Sequence, residues 1–296
     1  MAIETLPEPS IPITTPLRPR FGFLTETPII AAATICLALI VASAILAPLI
    51  APHDPLLLVP AQRLKPSSAQ FWLGTDAYGR DALSRILYGG RVSLLIGLGS
   101  ALISIGVGLL IGLVSGFFKW VDAVLMRIMD GLMAIPSVLL AVAVVSLSGA
   151  SIATVLIAIT IPEVPRVARL VRSVVLSARE EPYVEAAISV GSSLPKIMWR
   201  HLMPNTIAPL IVQGTYVCAS AILTEAILSF LGAGINPETP TWGNMMAEGR
   251  VYFQLKPSLI FWPGLMLSLA ILSINLIGDA ARDALDPRMK KREGGK

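Results

Sequence analysis

Apolar residues fall in six long runs along the chain. They cover Ile29 to Ile50, Val92 to Phe118, about Leu132 to Ser148, Ile152 to Val171, Ile207 to Leu231 and Ser258 to Gly278. About 20 consecutive apolar residues cross a bilayer as a helix, so each run predicts a membrane span. Four runs carry no charge; the fourth in order is clean to Ile161 and then bears Glu163, Arg166 and Arg169, and the fifth contains Glu225. Most joints are short, but residues 51–91, 172–206 and 232–257 form longer polar loops. The predicted fold is all-α, a polytopic membrane protein of six transmembrane helices.

Small residues add a packing signal. Ser100, Ser104, Gly108, Gly112 and Gly116 recur every four residues and so share one helix face. Such a stripe lets a neighbouring helix approach closely in lipid.

Composition agrees with the membrane reading. Of 296 residues, 54% are apolar and 14% charged, and the mean hydropathy is +0.74. Soluble domains average about 25% charged residues, so a cytosolic enzyme, a secreted domain and a disordered chain are all excluded. Cys36 and Cys218 lie far apart in apolar runs, and with only two histidines, His53 and His201, no His/Cys metal cluster or disulfide framework can be assembled. With a cytoplasmic N-terminus, sixteen of the 23 Lys and Arg residues fall on the inner side. The bias predicts both termini inside and assigns the net charge of +4 to topology rather than to nucleic acid. Residues 1–28, with Pro7, Pro9, Pro12, Pro16 and Pro19, read as a flexible cytoplasmic tail, and 284–296 as a basic one. Between them lie the first span with a periplasmic segment, 29–91, and a five-helix core, 92–283.

The inner loop 172–206 reads as helix, turn, helix. Pro182 suits a first helical turn, Gly191 a C-terminal cap and Ser193 the cap of a second helix, and Pro204 should break the chain before the fifth span. Ala186, Ala187 and Gly191 leave a surface with little side chain, fit for a groove on another protein or for lipid headgroups. In the outer loop, Asp76, Arg80, Asp81 and Arg85 alternate in sign at helical spacing, which predicts a solvated, salt-bridged amphipathic helix. The stretch Gly232 to Gly243, with Trp242, predicts an ordered outer loop.

Specific segments then point to a family. Glu185-Ala186-Ala187, followed by Gly191 and by His201-Leu202-Met203-Pro204, resembles the EAA loop of ABC importer permeases. The general pattern ends in Ile-x-Leu-Pro; His201 and Met203 stand at its Ile and Leu positions, the form of the peptide/nickel subfamily. Leu73 to Arg85 with Gly90-Arg91, Leu228 to Gly234 with Pro240 to Arg250, and Gly278 to Arg288 resemble three further segments of that subfamily. The resemblance covers about residues 29–288 and is to the C-type permease of a dipeptide, oligopeptide or nickel importer. It implies the type I ABC importer permease fold, a second permease subunit, two ATPase subunits, a periplasmic solute-binding protein, and residence in a bacterial inner membrane. It also implies that Glu185, Ala186, Ala187, Gly191, His201 and Pro204 couple the chain to an ATPase.

The chain itself has no G-x-x-x-x-G-K-[ST] loop to hold phosphates, so it is expected to bind no cofactor and to hydrolyse no ATP. Charges inside spans are costly and functional by default. Glu225 is expected to gate or to make a structural polar contact, and Glu163 to pair with Arg166 at i+3. An ion-coupled secondary transporter using Glu163 and Glu225 is the alternative from another class, but the chain shows no inverted repeat. A membrane-embedded protease would need HExxH or a Ser/His pair in a span, and neither occurs.

Overall fold

The computed structural model describes residues 28–285; the two predicted tails, 1–27 of the first and 286–296 of the second, lie outside the described residues. All regular elements among them are helices, apart from an isolated bridge between Thr75 and Asp81. α1 (Pro28–Ile45) ends before the short α2 (Ala47–Ile50), whose start carries Pro48. α3 (Ala82–Phe117) runs for 36 residues. That is about 54 Å of helix, longer than a hydrocarbon core of about 30 Å. The second span therefore begins ten residues before its predicted start at Val92, and the helix is too long for the hydrocarbon core alone.

Of the six predicted spans, the described residues match four with single long apolar helices, or five if one bent helix pair counts as a span. Four helices are long and apolar enough to cross a membrane: α1, α3, the segment Leu194–Phe230 and α11 (Ser258–Leu285). The predicted third span is broken. α4 (Lys119–Ala134) and α5 (Ser137–Ser148) meet at 89° across Ile135-Pro136. Pro136 has no N–H and pushes Ile135 out of the helical region, so the helix stops there. The twelve residues of α5 reach only about 18 Å. α6 (Ile152–Ala178) is 27 residues long and continuous through Pro162 and Pro165, but it keeps its charges.

The small-residue stripe of α3 packs on α6. A Cβ at Gly108 would lie 2.6 Å from Val167, one at Gly112 2.5 Å from Val171, and one at Gly116 2.6 Å from Val175. Higher on the same face, Thr160 Oγ1 donates to Ser100 Oγ at 3.2 Å. The two helices thus run in parallel with a constant register, held by backbone proximity. On another face of α3, Gly97 meets Ile222 of α9 (Met203–Phe230). Gly278 of α11 meets Thr215 of α9 in the same way, which places α9 at the centre of the bundle.

Beyond the C-terminal end of α9, the chain turns into α10 (Trp242–Gly249), which packs on α9 and α11. Trp242 is buried and donates from Nε1 to the carbonyl of Ile86 at 3.1 Å. Asn244 donates from Nδ2 to the carbonyls of Ile235, Asn236 and Thr239, folding the preceding loop into a closed unit.

Candidate functional site

The inner loop forms α7 (Pro182–Ser189), α8 (Leu194–Ile197) and a π turn, Met198–Leu202, that runs straight into α9. α7 begins with Pro182 in its first turn and ends in a Schellman motif. Gly191, at φ +79°, donates to Ile188 O at 2.9 Å, and Ser192 donates to Ala187 O at 3.0 Å. Gly191 is required there because a side chain is disfavoured at positive φ. Ser193 is the N-cap residue of α8, but its side chain makes no capping bond.

The break expected at Pro204 does not occur. Met203 donates its N–H to Met198 O, five residues back, and the wider turn carries the helix past the proline. The segment Leu194–Phe230 is one helix.

Val184 is fully buried against the core, together with Ile197, Leu202 and Leu210. Asn205 Nδ2 donates to Tyr183 Oη at 3.0 Å and to His201 O at 2.6 Å. Glu185, Ala186 and Gly191 are exposed, Ala187 and His201 are partly buried, and Pro204 is exposed. The outward surface also carries Ile188 and Val190, the latter 85% exposed. Tyr183 and Val184, which the sequence reading did not single out, are the residues that pin α7. Their signal, an aromatic and a branched residue just after Pro182, is too common to stand out. At the end of α6, Arg179 donates to Gly116 O at 3.2 Å, and Arg172 holds Asp122 of α4 through both carboxylate oxygens.

Inside the membrane, Arg166 Nη1 lies 2.7 Å from Glu163 Oε1, and Ser220 of α9 reaches the same oxygen at 3.5 Å. Glu163 Oε2 is buried without a partner. Glu225 is wholly buried and far from that pair in sequence. Its Oε1 accepts from Ser229 and Thr241 at 2.8 Å each, and its Oε2 from Ser93 at 3.5 Å. Glu225 therefore ties α9 to α3 and to the start of α10, through hydroxyl groups alone among its described partners.

The outer charges depart from the sequence reading. Asp76, Arg80, Asp81 and Arg85 are all buried, not solvated. They do not form one helix either, because α3 starts only at Ala82, with Asp81 as its N-cap accepting from Ser84 N. Asp76 Oδ2 receives Arg80 Nε and Arg85 Nη1 at 2.6 Å each, and Glu248 of α10 receives Arg80 Nη2 and Arg85 Nη1 at 2.6 Å each. Arg85 pairs with Asp76 and Glu248, not with Asp81. The charge of Glu248, 163 residues beyond Arg85, completes the balance. Nearby, Lys256 donates to the carbonyls of Lys65 and Thr75. Burial lowers its ammonium pKa, opposed by the charge of Asp76. No group of His, Cys, Asp and Glu among the described residues could hold a metal ion.

These elements have known counterparts. Residues 104–291 match the family described as binding-protein-dependent transport system inner membrane component. The chain is 51% identical to a probable peptide ABC transporter permease, y4tQ, of Sinorhizobium fredii, over 81% of this chain and 82% of that one. It is 40% identical to the dipeptide transport system permease protein DppC of Alkalihalophilus pseudofirmus, over 96% and 94%. It is 38% identical to the glutathione transport system permease protein GsiD of Pectobacterium atrosepticum, over 94% and 93%. Among solved structures, the inward-facing MetNI methionine ABC transporter shares the fold, with a TM-score of 0.54 at 17% identity, over 68% of this chain and 97% of that one. The chain belongs to the binding-protein-dependent transport system inner membrane components, the permeases of ABC importers.

Proposed function

We propose that this permease is the C-type pore subunit of an ATP-driven importer for di- and oligopeptides. A second permease completes the pore, two ATPase subunits bind on the cytoplasmic side, and a solute-binding protein delivers cargo outside. Both termini lie in the cytoplasm of a bacterial inner membrane. The cargo class rests on the relatives, whose names specify peptides, dipeptides and glutathione.

The observation that carries the coupling is the two-sidedness of α7. Val184 is locked into the core, while Glu185, Ala186 and Gly191 face outward with little side chain in the way. A groove on an ATPase can seat such a surface closely. When the ATPases close on ATP, α7 moves with them. Tyr183 and Asn205 pass the motion to α9, and the junction through Arg179 passes it to α3. Because α3, α6 and α9 pack without slack, the response is a rigid-body rocking between two arrangements. Hydrolysis takes place in the partner subunits, and no bond of the cargo is broken.

The test is Gly191→Trp in the complete transporter. A Cβ at Gly191 meets nothing within 4 Å, but any side chain strains the cap at φ +79°, so Ala186→Trp, at an exposed helical position of the same surface, is tested beside it and must give the same result. We expect the variant to stay in the membrane while P-loop ATPases no longer co-purify with it in mild detergent. Normal co-purification together with normal uptake overturns the assignment.

A further inference from the structure

Two helices carry polar positions where apolar ones would suit lipid. On α6, Glu163, Arg166, Ser173 and Ser177 fall within an arc of about 80°, counting 100° per residue. On α9, Asn205, Tyr216 and Ser220 fall within a similar arc of about 60°. The two stripes meet at one contact and share one groove. They touch near the membrane centre, where Ser220 reaches Glu163 at 3.5 Å. Toward the cytoplasm they part, and an open groove lies between them, lined by Ser173, Ser177, Tyr183 and Asn205 among others.

Glu163 stands about 16 Å from the outer end of α6, close to the midplane of a 30 Å core. Its carboxylate is 5% exposed, but the Arg166 side chain that pairs with it is 38% exposed. A guanidinium at that depth does not face hydrocarbon; such charges line water or meet other polar groups. Ser173 and Tyr216 are exposed on the same two stripes. The groove also ends at Tyr183, the first turn of α7, so it opens where the ATPases are proposed to act.

We infer that the α6–α9 groove, continued about two helical turns along the α6 stripe from Ser173 to Arg166, is the inner half of the solute pathway in this subunit and that Arg166, held by Glu163, receives the carboxylate of a passing peptide. The carboxylate clause rests on the peptide reading above; the pathway clause does not. Glu163 uses one oxygen for Arg166 and leaves Oε2 buried and unpartnered. It therefore orients the guanidinium from one side and leaves the exposed side for a second anion. Arginine suits that task because its planar fork binds carboxylates in two parallel bonds.

The experiment uses the complete transporter in proteoliposomes, with Cys36 and Cys218 replaced by alanine. Arg166→Cys, Ser173→Cys and Ser177→Cys are treated with a charged, membrane-impermeant methanethiosulfonate reagent, and modification of this chain is read by mass. We expect all three to react, with dialanine slowing Ser173→Cys, whose Arg166 is intact. Labelling by lipid-soluble maleimide only, or no labelling, overturns the pathway by placing the stripe against lipid or the second permease.

Uptake kinetics then test the carboxylate. Arg166→Gln should raise KM for dialanine about tenfold, one charge-assisted contact, with kcat little changed. Dialanine amide should be unaffected, and Arg166→Lys should restore most of the loss. Equal losses for both peptides, or a fall in kcat alone, overturn the carboxylate role and make the pair structural. If the wild-type transporter takes up no dialanine, the peptide reading falls, and the labelling result alone decides the pathway.

Discussion

At the outer end of the bundle, elements far apart in sequence are tied together. At the inner end, a short helix holds itself in shape and leans on the core through few groups. The outer tie runs from Asp76, Arg80 and Arg85 to Glu248, and from Trp242 to Ile86. α7 has its own proline start and its own glycine cap, one buried valine and one hydroxyl contact to Asn205. The difference teaches which end yields. The outer cap is bonded into α3, α9 and α10, while α7 keeps an exposed surface open to a partner.

The largest effect expected is at the outer end. Glu248→Ala leaves the buried guanidiniums of Arg80 and Arg85 with Asp76 alone. Removing one partner of a buried ion cluster costs about 3–5 kcal/mol. Thermal unfolding of the purified transporter should fall accordingly, and Glu248→Gln should lose less. An unchanged midpoint would show that the cluster is solvated after all and would erase the contrast between the two ends.

Next in size is the seam between the ends. Gly112→Val would place its Cβ 2.5 Å from Val171 and 2.7 Å from Ala168 O, so α3 and α6 must separate. Overpacking of this kind costs about 1–3 kcal/mol. Gly106, where a Cβ meets nothing within 4 Å, is the control, and Gly106→Ala should be neutral or mildly stabilising. Equal effects at the two glycines would contradict the packing seam.

The seam was legible in the sequence because it is local. Five small residues four apart define a face whatever they pack against. The inner loop was legible for the same reason, since Pro182 and Gly191 act on their own turns. The outer cluster was not. Its opposite charges four apart, Asp76 with Arg80 and Asp81 with Arg85, match a solvated helix, and only the fold brings in Glu248, which takes the place expected of Asp81 and forms a balanced buried set with Asp76, Arg80 and Arg85. Pro136 and Pro204 show the other limit. Each lacks an N–H, yet one ends a helix at an 89° bend and the other is absorbed by a π turn. The choice between them is set by packing around the proline, which spacing does not record. Glu163 and Glu225 looked alike as membrane acids. One holds an arginine and the other three hydroxyls, and family membership removes the reading in which both are ion sites of a self-sufficient transporter.

At the inner end, Tyr183→Phe removes one hydrogen bond, worth about 0.5–1.5 kcal/mol. Stability should drop by no more than that. Coupling should suffer more, because this contact joins α7 to α9. The ratio of peptide imported to ATP hydrolysed should fall while basal hydrolysis persists. A stability loss as large as that of Glu248→Ala would show that α7 is as firmly tied as the outer cap.

The smallest effect concerns pH at the outer cap. Burial lowers the pKa of Lys256 below its ordinary value in the unfolded chain. In the window between the two values, the unfolded state binds more protons than the folded one, so stability rises with pH there. The cost of burying the ammonium is full below the folded value and gone above the unfolded one, about 10.5. Lys256 is partly open to solvent, and screening keeps the effect small. The wild-type protein should therefore gain slightly on Lys256→Gln as pH is raised toward 10.5, measured as a difference in thermal midpoint. The glutamine also keeps a donor for the carbonyls of Lys65 and Thr75, which isolates the charge from the hydrogen bonds. A difference that shrinks with pH would mean that the attraction of Asp76 outweighs burial, and the outer cap would then hold Lys256 as a fifth member of its ion cluster rather than as a buried donor.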